Sequence, residues 1–308
     1  MKILVTGGAG FIGSHLADAL ILARHEVHVL DNLYSGFEEN IPTNAVFHQL
    51  DVRSTETLDL IIREKYDIIF HQAAQLDVRK SVADPVFDAQ VNIVGSLNLL
   101  EGARQAGTQQ IIFASSGGTV YGEQDTFPAD EAHTIRPISP YGVAKASVEM
   151  YLHYYLVQYG LKYISLRYAN VYGPRQSPHG EAGVVAIFAD KILNRTQPLI
   201  NGTGLQTRDY VYVKDVVKAN LAAMGAEKSG CYNIGTGIET TVNQLFDAIN
   251  EQLKGGFEKQ FAPAKLGEQF RSVINPKKAY VDLGWIPEFP LAKGIQETMQ
   301  WFKDMHEG

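Results

Sequence analysis

A doubly wound parallel α/β sheet carrying a smaller α+β lobe is the fold that this 308-residue sequence predicts. Three observations predict it. Short β-rich apolar runs recur at a regular beat through the first half, stretches with helical spacing separate most of them, and after Tyr172 the texture breaks up. Strands apolar on both faces belong to a parallel sheet covered by helices on each side. Right-handed crossovers wind such a sheet in two halves, with ligands beyond the carboxyl ends of its strands.

The apolar runs are Lys2–Thr6, Glu26–Asp31, Val46–Asp51, Asp67–Gln72, Gln110–Ser115 and Lys162–Arg167. Between them, Ile12, Leu16, Leu20 and Ala23, and later Val91, Val94, Leu97 and Leu100, recur at helical spacing. Beyond Tyr172, Gly173-Pro174, Ser177-Pro178-His179-Gly180, Pro198 and Asn201-Gly202-Thr203-Gly204 interrupt the chain. Helical patterns follow at Val184–Asn194, Val213–Ala226, Thr241–Leu253 and Leu291–Met305. Residues 1–172 read as a cofactor-binding domain and 173–308 as a substrate lobe, one segment of which returns to the sheet.

The chain is 45% hydrophobic and 20% charged, which fits a globular protein and excludes disordered, collagen-like and coiled-coil chains. With a net charge of −7 and no basic block, a dedicated nucleic-acid binder is not expected. Cys231 is the single cysteine, so neither an internal disulfide nor a cysteine-based metal cluster can form, and the nine histidines show no metal-ligand spacing. Only Ile3–Thr6 is apolar before Gly7, too short for a signal-peptide core, and no stretch is long enough to span a bilayer. The expectation is a soluble cytoplasmic protein without a metal and without membrane association.

Thr6-Gly7-Gly8-Ala9-Gly10-Phe11-Ile12-Gly13 follows the first strand and opens the first helix. Glycines at 7, 8, 10 and 13 permit a tight turn and a close backbone approach to a pyrophosphate, which then meets the helix N-terminus at Phe11 and Ile12. Asp31 ends the second strand near the spacing expected for a carboxylate on a ribose 2′-hydroxyl, followed by Asn32 and Leu33 rather than arginine. A 2′-phosphate would meet negative charge there, so the Rossmann-type site predicts NAD rather than NADP. Asp51-Val52 ends the third strand, where it can hold an adenine edge or cap a helix. Ala73-Ala74 ends the fourth and lets the backbone pass close to the cofactor. Asn92 either holds that loop or faces solvent.

Tyr141 and Lys145 stand at i and i+4, one above the other on a helical face. An ammonium beside a phenol favours the phenolate and lowers its pKa. Upstream, Ser115-Ser116-Gly117-Gly118-Thr119-Val120-Tyr121-Gly122 puts a hydroxyl cluster at the end of the fifth strand.

With these residues the chain resembles the extended short-chain dehydrogenase/reductase family, within it the nucleotide-sugar epimerases and dehydratases. The resemblance continues through Leu166–Pro174, Pro178–Val185, Arg208-Asp209-Tyr210-Val211 and Gly267-Glu268-x-x-Arg271-Ser272, spanning nearly the whole chain. It implies 4-epimerisation of a UDP-hexose with bound NAD, and a homodimer through the helix carrying Tyr141. Tyr141 would be the general base on the sugar 4-hydroxyl, with Lys145 tuning it and holding the cofactor ribose. The family's catalytic hydroxyl is Ser116 counted from the strand, or Thr119 counted from Val120-Tyr121-Gly122. Ser115 and Tyr168 would line the cofactor. Asn170, Val185, Arg208, Lys265, Glu268, Arg271 and Ser272 would hold the substrate, Lys265 standing where the family more often has arginine. Gly117-Gly118 replaces the Asp-Glu pair expected of a 4,6-dehydratase, and Cys231 lies outside the catalytic segment, against a 3,5-epimerase/reductase. A UDP-glucuronate 4-epimerase or decarboxylase stays open. A non-catalytic nucleotide sensor has no need of Ser116, Tyr141 and Lys145 together.

Overall fold

The computed structural model describes residues 1–179, 183–264 and 269–307. The chain begins β1 (Lys2–Thr6), α1 (Phe11–Leu22), β2 (Glu26–Asp31), β3 (Val46–Gln49), α2 (Thr55–Glu64) and β4 (Ile68–His71). It continues with α3 (Val78–Ala83), α4 (Pro85–Ala89), α5 (Gly95–Ala106), β5 (Gln110–Ser116), α6 (Pro140–Tyr159) and β6 (Lys162–Tyr168). Next come β7 (Asn170–Tyr172), α7 (Val184–Leu193), β8 (Leu199–Asn201), β9 (Thr207–Tyr212), α8 (Val213–Met224) and β10 (Gly230–Ile234). Last are β11 (Glu239–Thr241), α9 (Val242–Gln252), β12 (Gln260–Ala262), β13 (Arg271–Ser272), α10 (Lys277–Leu283) and α11 (Leu291–Glu307).

Seven parallel strands in the order β10-β6-β5-β4-β1-β2-β3 form the central sheet. The order in which strands are added reverses between β1 and β4, the switch point where such sheets take ligands. Alternation along β1 feeds two cores: Ile3 and Val5 pack with Leu16 and Leu20 of α1 and Val216 of α8, whereas Leu4 packs with Leu60, Leu99 and Leu152 on the other face. β10 is the segment after residue 172 that joins the sheet, pairing with β6 from Gly230↔Ile164 to Ile234↔Tyr168.

A third core lies under the four-stranded sheet of β7, β9, β11 and β13, where Tyr172, Phe188, Tyr212, Phe246 and Met299 are buried between α7, α9 and α11. α9 begins on a capping box in which Thr241 and Gln244 satisfy each other's backbone N–H. Across the described residues no helix is long and apolar enough to cross a membrane, and no cluster of His, Cys, Asp and Glu could hold a metal.

Candidate active site

Four strand ends meet at the switch point. Gly7 follows β1 at φ +69°, where only glycine is unstrained, and its carbonyl accepts the Gly10 N–H at 3.1 Å. A Cβ on Gly7 would lie 2.7 Å from the Ala73 nitrogen, and one on Gly13 would lie 2.1 Å from the Gly7 oxygen. The loops after β1 and β4 are therefore packed backbone to backbone. Gly10 caps α1 without a side-chain hydrogen bond, and the first turn carries no acid. The N–H groups of Phe11, Ile12 and Gly13, unpaired within a helix, are left for an anion.

Asp31 is buried at the end of β2. Its Oδ2 accepts from Ala9 N at 3.0 Å and its Oδ1 from Leu33 N at 2.9 Å, which orients the carboxylate and leaves acceptor capacity on both oxygens. Burial pushes its pKa up, while the two N–H groups oppose the rise. Asp51 is not the cap of α2; that role belongs to Ser54, whose side chain accepts from Thr57 N. Arg53 grips Asp51 with two 2.8 Å bonds and Asn32 adds a third at 2.9 Å, so the carboxyl is held far below the usual range, first by the arginine. Val52 is buried, and its carbonyl accepts from Asn98.

Asn92 does not face solvent. It sits in a π-helical turn, 90–94, that carries its side chain inward, where Oδ1 accepts from Gln75 N at 2.8 Å and Nδ2 donates to the Gln75 carbonyl at 2.9 Å. It thereby fixes the loop that begins with the half-buried Ala73 and Ala74. Asp88, one turn earlier, accepts from both Asn92 and Gln75 at 2.9 Å. The sequence reading passed over it, although a polar pair at i and i+4 on one helix was the available signal.

Ser139 and Pro140 start α6, the serine side chain accepting from Gly142 N at 3.1 Å. This sets Tyr141 in the first turn and Lys145 one turn on. Lys145 is 3% exposed; its Nζ donates to the Ala114 carbonyl at 2.8 Å and lies 5.6 Å from the Tyr141 ring centre. The ionisation differs from expectation. Burial, with Asp88's charge second, pushes the Tyr141 phenol above the usual tyrosine range, and burial lowers Lys145 to about 8. Desolvation is the first cause for both groups, and the ammonium is not among the causes acting on the phenol.

Ser116 ends β5, and its carbonyl accepts from Thr119 N and Val120 N, turning the chain. The Thr119 carbonyl lies 2.8 Å from where a Cβ on Gly142 would stand, beside Tyr141. A Cβ on Gly118 would lie 3.9 Å from Ser116 Oγ and 3.8 Å from Asn170 Oδ1, so Ser116 and Asn170 border one space. The buried hydroxyls of Ser115 and Thr119 have no hydrogen-bond partner.

Tyr168 and Val185 lie in the two cores that flank the site. The Tyr168 ring is in the core and its hydroxyl bonds Asn220 at 2.8 Å and Gln72 at 3.3 Å, a demand set by burial at the end of β6. Val185 is 1% exposed, drawn into the lobe core by the apolar stripe of α7. Both side chains are buried in the resting protein. Arg208 is half-buried on β9, in register with the buried Ser272 of β13. Arg271 pairs with Glu239, its Nε at 3.0 Å, and lies 3.8 Å over the Phe127 ring centre. Lys265 and Glu268 lie outside the described residues, as do positions 180–182.

The pattern of the NAD dependent epimerase/dehydratase family matches residues 3–235. A UDP-glucose 4-epimerase of Mycolicibacterium smegmatis is 43% identical over 99% of each chain. The crystal structure of a UDP-glucose 4-epimerase with UDP-glucose from Thermotoga maritima is similar at TM-score 0.97 and 48% identity, covering 99% of each chain. That of a Thermus thermophilus UDP-glucose 4-epimerase in complex with NAD gives TM-score 0.93 and 45% identity over 98% of this chain and 99% of the other. A glycine turn at the switch point, a buried carboxylate at the end of β2 and a half-buried tyrosine one turn from a buried lysine thus occur together in a chain that belongs to the NAD dependent epimerase/dehydratase family.

Proposed function

We propose that this enzyme is an isomerase, interconverting UDP-glucose and UDP-galactose by transient oxidation at C4. The observation that carries the reading is the meeting of a dinucleotide cradle with Tyr141, Lys145, Ser116 and Thr119 at one end of the sheet. The residues present fit NAD. Gly7, Gly10 and Gly13 leave room where a Cβ would crowd the backbone, Phe11 and Ile12 offer N–H groups to the pyrophosphate, and Asp31 accepts from a ribose diol. Asn32, Asp51, Val52, Ala73, Ala74 and Asn92 frame the rest of the groove, and Ser115 and Thr119 bring unpaired hydroxyls. When bound, NAD supplies the oxidant for sugar C4 and takes part in its reversal.

Tyr141 accepts the 4-hydroxyl proton and gives it back on the other face of the sugar ring. Lys145 stabilises the phenolate and bonds the cofactor ribose. Ser116 bonds the same sugar oxygen, with Thr119 as its rival. Asn170, Arg208 and Arg271 hold the UDP moiety, and the family resemblance assigns Lys265 and Glu268 to the same task. Many contacts to the nucleotide and few to the hexose leave the sugar free to turn between the two half-reactions.

Incubating the purified protein with UDP-galactose should yield UDP-glucose with no external reductant consumed, and denaturation should release NAD. Release of NADP, or a stoichiometric requirement for NADPH, would overturn the reading.

The sugar pocket is proposed to admit a 2-acetamido group because Ser272 stands where the family carries a wall residue. Its side chain is small and 4% exposed. Ser272→Tyr should cut kcat/KM for UDP-GalNAc by about tenfold or more while leaving UDP-galactose within about threefold. A wild type that ignores UDP-GalNAc, or equal losses on both sugars, would remove Ser272 from this role.

A homodimer is proposed through α6. Val143, Met150, Tyr154 and Val157 are exposed along that helix, beside an open groove of 510 Å³ lined by Pro85, Ala89, Ile138 and Val143. A cytoplasmic location is proposed with it, supported by the single, unpaired Cys231.

A further inference from the structure

α4 carries a buried carboxylate that the chemistry above does not use. Asp88 is 1% exposed; its Oδ1 accepts from Gln75 and Asn92, and its Oδ2 has no hydrogen-bond partner. Among the described residues no cation is bonded to it. Lys145 on α6 presents the opposite case, a buried ammonium bonded only to the Ala114 carbonyl and set 4.7 Å from the Phe113 ring centre. Two carboxylates act on it by charge, Asp88 and Glu149. Glu149 is already held by Arg167 at 2.7 Å and Ser165 at 2.9 Å, which leaves Asp88 as the uncompensated one. Buried charges without a bonded partner are costly, and in a low-dielectric interior they act on each other without direct contact.

We propose that Asp88 is a positioning residue for the reaction, anchoring the loop after β4 through Gln75 and Asn92 and acting as the counter-charge of Lys145 across the site. The inference rests on the reading of Tyr141 and Lys145 given above. Its anchoring half is geometric. Gln75 binds Asn92 twice through its backbone and ties Asp77 by two further bonds, so the whole turn hangs on the Asp88–Asn92 pair. Its electrostatic half starts from placement: Asp88 lines one groove with Ser139, Pro140 and Ala144, which flank Tyr141 and Lys145 at the start of α6. A negative charge raises the pKa of any neighbour, and Asp88 raises both Tyr141 and Lys145. Other groups facing the pair are Ser81 of α3, which accepts from Tyr141 N, and Glu149 of α6. His71 of β4 is kept neutral by burial, its pKa lowered to about 3, and β5 presents the Ala114 carbonyl and the Phe113 ring.

Because Asp88 acts on Tyr141 and Lys145 with the same sign, removing its charge should move both limbs of the pH profile the same way. Asp88→Asn retains an acceptor for Asn92 while losing the charge. Both limbs of kcat/KM against pH are expected to move to lower pH by about 0.5–1 unit. Asp88→Glu keeps the charge and should keep the limbs in place, whatever its turnover. Dinucleotide content and thermal midpoint are measured on each variant, and Asp88→Ser takes the place of the amide if that does not fold. A residue that only anchors the loop would lower the profile or the NAD content without moving the limbs, and that result overturns the proposal, as does a Glu variant that moves as far as the Asn variant. Turnover retained in Tyr141→Phe would defeat the reading of the site itself. An unmoved Asp88→Asn profile beside an inactive Tyr141→Phe defeats this inference alone.

Discussion

Tyr141→Phe is expected to keep the fold and the bound NAD while losing about 10²–10⁴-fold in turnover, the usual cost of removing a general base. The tyrosine hydroxyl has no hydrogen-bond partner among the described residues, so its removal breaks no bond of the resting protein. What the ring does survives in phenylalanine: it lies 5.6 Å from Lys145 Nζ, and its backbone N–H donates to Ser81 Oγ at 3.3 Å. Loss of activity with an unchanged thermal midpoint and unchanged NAD content therefore assigns the effect to the hydroxyl. Turnover within about threefold of wild type would remove Tyr141 from the chemistry. The same assay on Ser116→Ala and Thr119→Val separates the two hydroxyls, of which only Thr119 Oγ1 is buried without a partner.

The strand-and-helix order was legible because it is written in local periodicity. β1 and β2 begin and end where the apolar runs do, at Lys2–Thr6 and Glu26–Asp31, and β3 stops two residues early at Gln49. Asp31 was legible because a strand end fixes where its side chain emerges. Contacts made by distant segments were not. At Asp51 the distant partner is Asn32, whose 2.9 Å bond no local pattern announces, whereas Ser54 as the cap of α2 and Arg53 as the ion-pair partner are local. Nothing near Arg271 announces Glu239, brought beside it when β11 and β13 flank β9. Val185 reads as a motif residue, yet the lobe core claims it. Spacing alone likewise puts a lysine one turn from a tyrosine; it takes the fold to show that both are desolvated and that Asp88 faces them.

Gly13→Ala is expected to strip the protein of its cofactor, although helix propensity argues the other way. Gly13 lies in α1, where alanine in place of glycine ordinarily adds roughly 0.5–1 kcal/mol. Here the added Cβ would stand 2.1 Å from the Gly7 oxygen, 2.8 Å from the Gly7 carbonyl carbon and 2.9 Å from the Gly8 Cα, all backbone atoms. Gly7 cannot retreat, because its own Cα hydrogen already faces the Ala73 backbone across a gap that a Cβ would close to 2.7 Å. The start of α1 must move instead, taking with it the N–H groups of the first turn and breaking the 3.1 Å bond from Gly10 N to Gly7 O. Overpacking of this kind costs about 1–3 kcal/mol. Expressed at the cofactor site, that is about a 5- to 150-fold rise in the NAD dissociation constant. Gly10→Ala sets the scale, since its Cβ would meet the same oxygen at 3.2 Å and a shift of a few tenths of an ångström would relieve it. The measurements are dinucleotide content on purification and NAD titration of the stripped protein, with the thermal midpoint taken without cofactor. Affinity should fall in the order wild type, Gly10→Ala, Gly13→Ala. Wild-type occupancy in Gly13→Ala would mean that α1 can shift without moving its first turn, and the close packing of Gly13 on Gly7 would then not be what shapes the phosphate site.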